Sequence, residues 1–126
     1  MSAFYHIDKA RKLVMSTASG VLTRKDLATH MEKLTKDPDF DSNFSQLADF
    51  TCVTEIKVDE ADIHALAQRN VFDSSARRAF VVKDDQSARL AEKFVSLRLD
   101  AGEHGVRVFR SLDEGVSYIL PRIPAL

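Results

Sequence analysis

Cysteine is almost absent from this chain of 126 residues, with Cys52 as its one example. A lone cysteine excludes an internal disulfide and a zinc site built from several cysteines. Glycine is scarce as well, with 4 residues, and neither a Gly-x-Gly-x-x-Gly stretch nor a phosphate-binding lysine loop occurs. The 4 histidines are not spaced as pairs of metal ligands. We therefore expect no cofactor and no metal site.

The chain also lacks a strong net charge and a long hydrophobic run. Its 18 basic and 19 acidic side chains leave a net charge of -1, which gives no field to attract nucleic acid or an anionic membrane. No apolar run approaches the ~20 residues that span a bilayer. Residues 1–6 lack the basic-then-apolar pattern of a signal peptide. We expect a soluble cytoplasmic protein with no nucleic-acid partner and no transmembrane segment.

What the sequence does contain is typical of one globular domain. Hydrophobic residues make up 44% of the chain and charged residues 29%. A chain of this length buries roughly two-thirds of its unfolded surface, which is enough for a core without metals or disulfides. We see neither an internal repeat nor a linker, so we expect a single domain over residues 1–126.

Hydrophobic patterns and turn signals alternate along the chain. The predicted strands are residues 4–8, 12–18, 47–53, 79–82 and 106–109. The predicted helices begin after Thr23, after Asp59, after Asp84 or Asp85, and after Ser111. The order β-β-α-β-α-β-α-β-α favours an α/β fold with a five-stranded, mostly parallel sheet and four helices. The first two strands should form an antiparallel hairpin at one edge.

Local signals place some of the boundaries. Thr23 with Asp26, and Ser111 with Glu114, have the spacing of a capping box, in which two residues exchange hydrogen bonds at a helix start. Gly20 is predicted to end the second strand. Residues 79–82 are apolar on both faces, as expected for a central parallel strand.

Four short segments in this order resemble the SpoIIAA-like proteins of bacteria, relatives of the STAS domain of anti-sigma-factor antagonists. They are Gly20-Val21-Leu22-Thr23, Asp37-Pro38-Asp39-Phe40, Leu47-Ala48-Asp49-Phe50 and the closing helix from Ser111 to Leu120. The resemblance covers nearly the whole chain. It implies the SpoIIAA-like fold and a regulatory or protein-interaction function without catalysis.

In the antagonists, a kinase phosphorylates a serine or threonine at the start of the helix that follows an aspartate-containing strand. The resemblance places that position near Val58 or Asp59, and neither side chain has a hydroxyl. It therefore implies an interaction module that lacks the usual phosphorylatable serine. Asp59 is interpreted first as a helix cap.

The carboxyl end of the third strand is the predicted partner-binding surface, because ligands and partners dock at such edges of α/β sheets. The partner itself is an unidentified protein. The candidate partner-binding residues are Thr51, Thr54, Lys57, Asp59, Glu60 and Asp62.

The third helix is apolar beyond a single stripe, which indicates contact with a partner, a cavity or deeper burial. Leu90, Phe94, Leu97 and Leu99 are therefore candidates for a homodimer interface or a ligand surface. The alternative function is a carrier or sensor for a small apolar or lipid-like ligand between this helix and the sheet. That alternative rests on residues that the core would also explain.

Catalysis has little support in the sequence, and we do not expect an enzyme. Cys52, His64 and Asp49 could form a nucleophile, base and orienting acid, but a cysteine inside a strand usually acts as a small hydrophobe. Eight arginines lie in the second half and could together hold a phosphate or carboxylate. We favour a solvated surface for them, because Arg77 and Arg78 precede a strand while Arg89 and Arg98 lie on one helix.

Overall fold

The computed structural model describes residues 2–124 and contains the predicted elements in the predicted order. The strands are β1 (Ala3–Asp8), β2 (Leu13–Thr23), β3 (Ser45–Lys57), β4 (Arg78–Val81) and β5 (Val106–Phe109). The helices are α1 (Arg24–Lys36), α2 (Glu60–Leu66), α3 (Asp85–Asp100) and α4 (Leu112–Ile119), followed by a short 3-10 helix at Leu120–Arg122.

The five strands form one sheet in the order β1-β2-β3-β4-β5. β1 and β2 pair antiparallel, and every later neighbouring pair is parallel. This confirms the predicted hairpin edge and the mostly parallel sheet. β4 is buried along its whole length, and the burial of Ala79, Phe80 and Val81 agrees with the prediction for the apolar residues 79–82.

β2 does not end at Gly20, so that prediction was wrong. The strand continues to Thr23, and β3 extends with it to Lys57, beyond the predicted end at residue 53. The register of the two strands shifts between Gly20 and Val21. Gly20 has φ +65, which a residue without Cβ adopts at little cost, so the ladder bends there and continues.

The helix starts agree with the capping signals. Thr23 and Asp26 form both bonds of a capping box, with the Thr23 amide donating to Asp26 Oδ2 at 3.0 Å and the Asp26 amide donating to Thr23 Oγ1 at 3.2 Å. Asp84, rather than Asp85, caps α3. Ser111 accepts the amide of Glu114 at 3.1 Å, which is one half of the box expected for α4.

The helices cover the two faces of the sheet unequally. Ala48 and Phe80 point to the face covered by α1, α2 and α3, where one apolar cluster joins all three helices to the sheet. Leu47 and Ala79 point to the opposite face, where α4 packs through Ile119. We call these sides the three-helix face and the α4 face.

Candidate functional site

A cavity of about 100 Å³ lies between the three-helix face of the sheet and the helices that cover it. Alternation along β3 and β4 brings Ala48, Phe50 and Phe80 to this side, and α3 contributes residues one helical turn apart. Apolar side chains dominate its wall. They include Leu22, Phe50, Ile63, Phe80, Leu90 and Phe94.

One end of the cavity is polar. Ser16, His30, Gln46 and Arg78 all belong to its wall. His30 Nε2 lies 2.9 Å from Ser16 Oγ, and Gln46 donates from Nε2 to the same hydroxyl oxygen at 3.0 Å. Arg78 donates from Nε to Gln46 Oε1 at 3.0 Å. These side chains come from β2, α1, β3 and β4, so four elements meet in one hydrogen-bonded chain.

Arg78 continues this chain into a buried ion cluster. Its Nη1 donates to both carboxylate oxygens of Glu103, at 3.2 and 2.9 Å, and Arg98 donates from Nε to Glu103 Oε1 at 2.7 Å. Arg98 also donates to the carbonyl of Ala67 and to Asn70 Oδ1, which fastens α3 to the end of α2. Arg78, Arg98 and Glu103 are only 5%, 3% and 3% exposed.

The end of α3 explains how Glu103 reaches the two arginines. Gly102 has φ +95, a left-handed conformation that favours glycine at the end of a helix. Its amide donates to the carbonyl of Leu99, and the amide of Glu103 donates to the carbonyl of Arg98, both at 2.9 Å. The chain thus folds back beneath the last turn of α3 and directs Glu103 inward.

Aromatic rings surround the Arg78 guanidinium. Its central carbon lies 4.3 Å from the ring centroid of Phe72, 5.3 Å from that of Phe80 and 5.8 Å from that of Phe94. The negative faces of such rings attract a cation without neutralising it. The guanidinium is therefore held in place by the wall of the cavity.

Burial sets the protonation of the polar end. Desolvation, with a contribution from the Arg78 charge, lowers the pKa of His30 from 6.5 to about 4, so its ring is neutral at pH 7. Burial also lowers the pKa of Arg78, while the charge of Glu103 acts in the opposite direction. An arginine remains protonated under these conditions because its ordinary pKa is so high.

The predicted partner-binding residues lie together at the end of β3 and the start of α2. The carboxylates of Asp59 and Asp62 each accept the other residue's amide, at 2.8 and 3.1 Å, so the interpretation of Asp59 as a helix cap is confirmed. The Thr51 hydroxyl donates to Asp49 Oδ1 at 2.7 Å. The exposed members of the group are Thr54, Lys57, Asp59 and Glu60.

The four candidate residues of α3, which were predicted to contribute to a dimer interface or a ligand surface, differ in their exposure and do not share one surface. Leu90 and Phe94 are buried and line the cavity. Leu97 is half-buried, and Leu99 is 51% exposed. Leu90, Phe94 and Leu97 pack into the apolar cluster between α3 and the sheet, so this side of α3 is buried more deeply than that of a surface helix.

Two sequence interpretations were wrong in detail. Cys52 is exposed rather than buried within its strand. Arg78 and Arg98 are not part of a solvated surface, because Glu103 gives both a buried carboxylate partner. Sequence reasoning missed Ser16, Gln46 and Glu103 altogether. The one signal that the sequence offered was Arg78, a charged residue directly before the apolar residues 79–82. A charged residue at such a position is compatible with solvent and with the protein interior.

Within residues 2–124, histidine, cysteine, aspartate and glutamate side chains form no group of three or more that could hold a metal ion. Over the same residues, no helix combines the length and hydrophobicity needed to cross a membrane.

The strand order and helix placement define an α/β protein with a SpoIIAA-like fold. A crystal structure of an uncharacterized protein of the DUF3478 family from Shewanella loihica PV-4, described as having a SpoIIAA-like fold, is similar to this chain. The TM-score is 0.57, with 13% sequence identity and coverage of 94% of each chain. At that identity the similarity shows the fold alone, and it confirms the SpoIIAA-like architecture expected from the sequence. No family model matches the chain, and neither does any curated protein.

Proposed function

We propose that this chain is a non-enzymatic regulatory module that senses a small, largely apolar ligand in the cavity of the three-helix face. The cavity is the observation that carries the proposal. Apolar side chains that line an unfilled cavity lose packing contacts and, where water enters, face an unfavourable solvent. Part of that loss is recovered when apolar atoms fill the space.

The size of the cavity limits the ligand. An engineered apolar cavity of about 150 Å³ in another protein admits benzene. The volume here, about 100 Å³, is two-thirds of that, so the enclosed part of the ligand should be a short chain or a small ring. The apolar wall favours hydrocarbon over sugar-like or strongly hydrated groups.

A titration with 1-pentanol, followed through backbone amide NMR signals, tests this proposal. We expect saturable shifts at Phe50, Phe80, Leu90 and their neighbours, with little change on α4. Glycerol at the same concentration serves as the hydrated control. A wild-type chain whose cavity signals do not respond to 1-pentanol would overturn the proposal.

A cavity-filling variant sharpens the test. Ala91 is half-buried on α3 and lines the cavity, so Ala91→Leu should weaken 1-pentanol binding by occupying the space. Ser96→Leu adds a leucine at an exposed position of the same helix and should leave binding unchanged. Equal effects of the two substitutions would place the alcohol outside the cavity.

A second candidate function is protein interaction at the end of β3 and the start of α2, supported by the SpoIIAA-like fold and by the exposed side chains there. The helix start holds Asp59 instead of a hydroxyl, so we expect no phosphorylation at that position. Incubation with an anti-sigma-factor antagonist kinase and intact-mass analysis provides the measurement. A phosphate mapped to Thr51 or Thr54 would instead support a switch of the antagonist type.

Homodimerisation remains part of this second proposal. Leu99 is the exposed apolar residue of α3, and a second exposed stripe lies on α4 and its continuation. That stripe contains Leu112, Val116 and Leu120, spaced four residues apart. Light scattering over a concentration series should detect the dimer, and Leu99→Glu or Val116→Glu should identify which stripe it uses.

A further inference from the structure

We infer that the ligand of this cavity is a small aliphatic monocarboxylate, with its carboxylate at Arg78 and its hydrocarbon chain along the apolar wall. The inference rests on the proposed function, since it assumes that the cavity holds a ligand. It adds the chemical class of the ligand and the residue that recognises it.

The charge balance of the buried cluster supports an anion. Two guanidinium groups, those of Arg78 and Arg98, share the single carboxylate of Glu103, and all three residues are at least nine-tenths buried. The cluster therefore carries one positive charge more than its negative charge. Buried charges are costly without a partner of opposite sign. An anionic ligand at this position would supply that partner.

The hydrogen bonds of Arg78 leave room for such a partner. A guanidinium has five N–H donors. Its bonds to Gln46 and Glu103 use Nε and Nη1, and Nη2 takes part in neither of them. Because Arg78 belongs to the wall of the cavity, a carboxylate inside the cavity lies within reach of this side chain. Arginine suits planar carboxylates particularly well.

The other groups around this end do not cancel the excess charge. His30 is neutral at pH 7 because of its lowered pKa. Ser16 and Gln46 are uncharged. Asp49 also belongs to the wall, and the amide and hydroxyl of Thr51, at 2.9 and 2.7 Å from its Oδ1, hold its carboxylate towards Thr51. Asp49 also lies three positions beyond Gln46 on β3, and it pairs with Val81 rather than with Arg78.

The same balance favours a monoanion with an apolar tail. One excess positive charge matches one carboxylate, whereas a dianionic phosphate would bring an uncompensated charge into an apolar wall. Away from Arg78, the apolar wall of Leu22, Phe50 and Leu90 suits hydrocarbon. The cavity volume of about 100 Å³ restricts the part of the tail that lies inside it to a few carbons.

Pentanoate and 1-pentanol form a matched pair of probes, because they share a chain length and differ in the charged group. We expect the wild-type chain at pH 7 to bind pentanoate at least ten-fold more tightly than 1-pentanol in NMR titrations. Equal affinities would overturn the inference and leave the cavity function intact. Binding of neither probe would overturn both.

Arg78→Met tests the residue directly. It removes the excess charge, leaves Glu103 paired with Arg98, and replaces the guanidinium by an apolar side chain. We expect Arg78→Met to lose the preference for pentanoate over 1-pentanol. Arg110→Met, at an arginine more than half exposed and paired with Asp85, should keep that preference. A preference that survives Arg78→Met would place the carboxylate elsewhere and overturn the inference.

A measurement on the wild type keeps the test valid if Arg78→Met does not fold. The ¹³C signal of carboxyl-labelled pentanoate reports its protonation in the complex. Contact with a guanidinium favours the ionised form, so the bound carboxyl should titrate at lower pH than free pentanoate. A bound carboxyl that titrates at the free value, or above it, would overturn the inference.

Discussion

The two faces of the sheet are built in opposite ways. On the α4 face, Gly115 approaches the sheet so closely that a Cβ at its position would lie 2.8 Å from Val81 Cγ2 and 3.4 Å from Leu47 Cδ1. On the three-helix face, the same two strands border a cavity, and a chain of polar side chains extends from Ser16 to Glu103.

The contrast between the two faces indicates that the less favourable packing is on the three-helix face. Close packing with apolar side chains is the favourable arrangement for a core, whereas a void and an unbalanced buried charge are both unfavourable. Features of this kind persist where function requires them, and both occur on the same face. The α4 face is therefore the more closely packed of the two, and the cavity and the buried ion cluster are confined to the three-helix face.

The largest effect should follow from removing the only carboxylate of the buried cluster. Glu103→Gln leaves Arg78 and Arg98 facing each other without a counter-charge, and we expect the free energy of unfolding to fall by about 3–5 kcal/mol in urea denaturation. Glu32→Gln removes the acid of an exposed pair with Lys36 and should cause no measurable change. Similar losses of unfolding free energy for the two variants would show that the buried cluster contributes no more to stability than an exposed ion pair.

The second-largest effect on stability should follow from truncating Phe80, a side chain next to the cavity. Phe80 is 8% exposed and packs against Phe50 and Phe94. We expect Phe80→Ala to reduce the free energy of unfolding by about 3 kcal/mol, the lower end of the usual range, because one side of the ring already faces open space. A near-neutral result would mean that Phe80 contributes little to the core and that the three-helix face is looser than described.

The comparison of the faces becomes sharper when side chains are enlarged. Gly115→Ala should cost about 1 kcal/mol on the α4 face, since strain against Val81 outweighs the better helix propensity of alanine. Ala48→Val, on the cavity side of β3, should be neutral or stabilising because the added methyl groups enter open space. Urea denaturation of both variants measures the difference, and the opposite ranking would refute the contrast between the faces.

The smallest effect at neutral pH concerns His30. In the unfolded chain its ring takes up a proton near pH 6.5, but in the folded protein only near pH 4. Between these values the unfolded state binds more protons, so stability should be full above pH 6.5 and should decline as the pH falls towards 4. His30→Gln should flatten this decline in urea denaturation at several pH values, whereas His64→Gln, at an exposed position, should not.

Much of the fold could be predicted because its signals are local. The Thr23–Asp26 box, the caps at Asp59 and Ser111, and the apolar run 79–82 each lie within a few residues of the structure they determine. The prediction failed at Gly20, where pairing with β3 carried β2 through a residue that usually interrupts a strand. A long-range partner overruled the local signal there.

The sequence by itself determined the element order, the helix caps and the parallel sheet, because periodicity and capping act over a few neighbouring residues. Only the tertiary structure decided which polar side chains are buried. The side chains that form the polar chain are far apart in the sequence, and they meet because three helices cover the same face of the sheet. They are Ser16, His30, Gln46, Arg78 and Glu103. An arginine at the start of a strand is equally compatible with solvent and with the interior. Its environment, and with it the candidate binding site, depends on which elements pack above it.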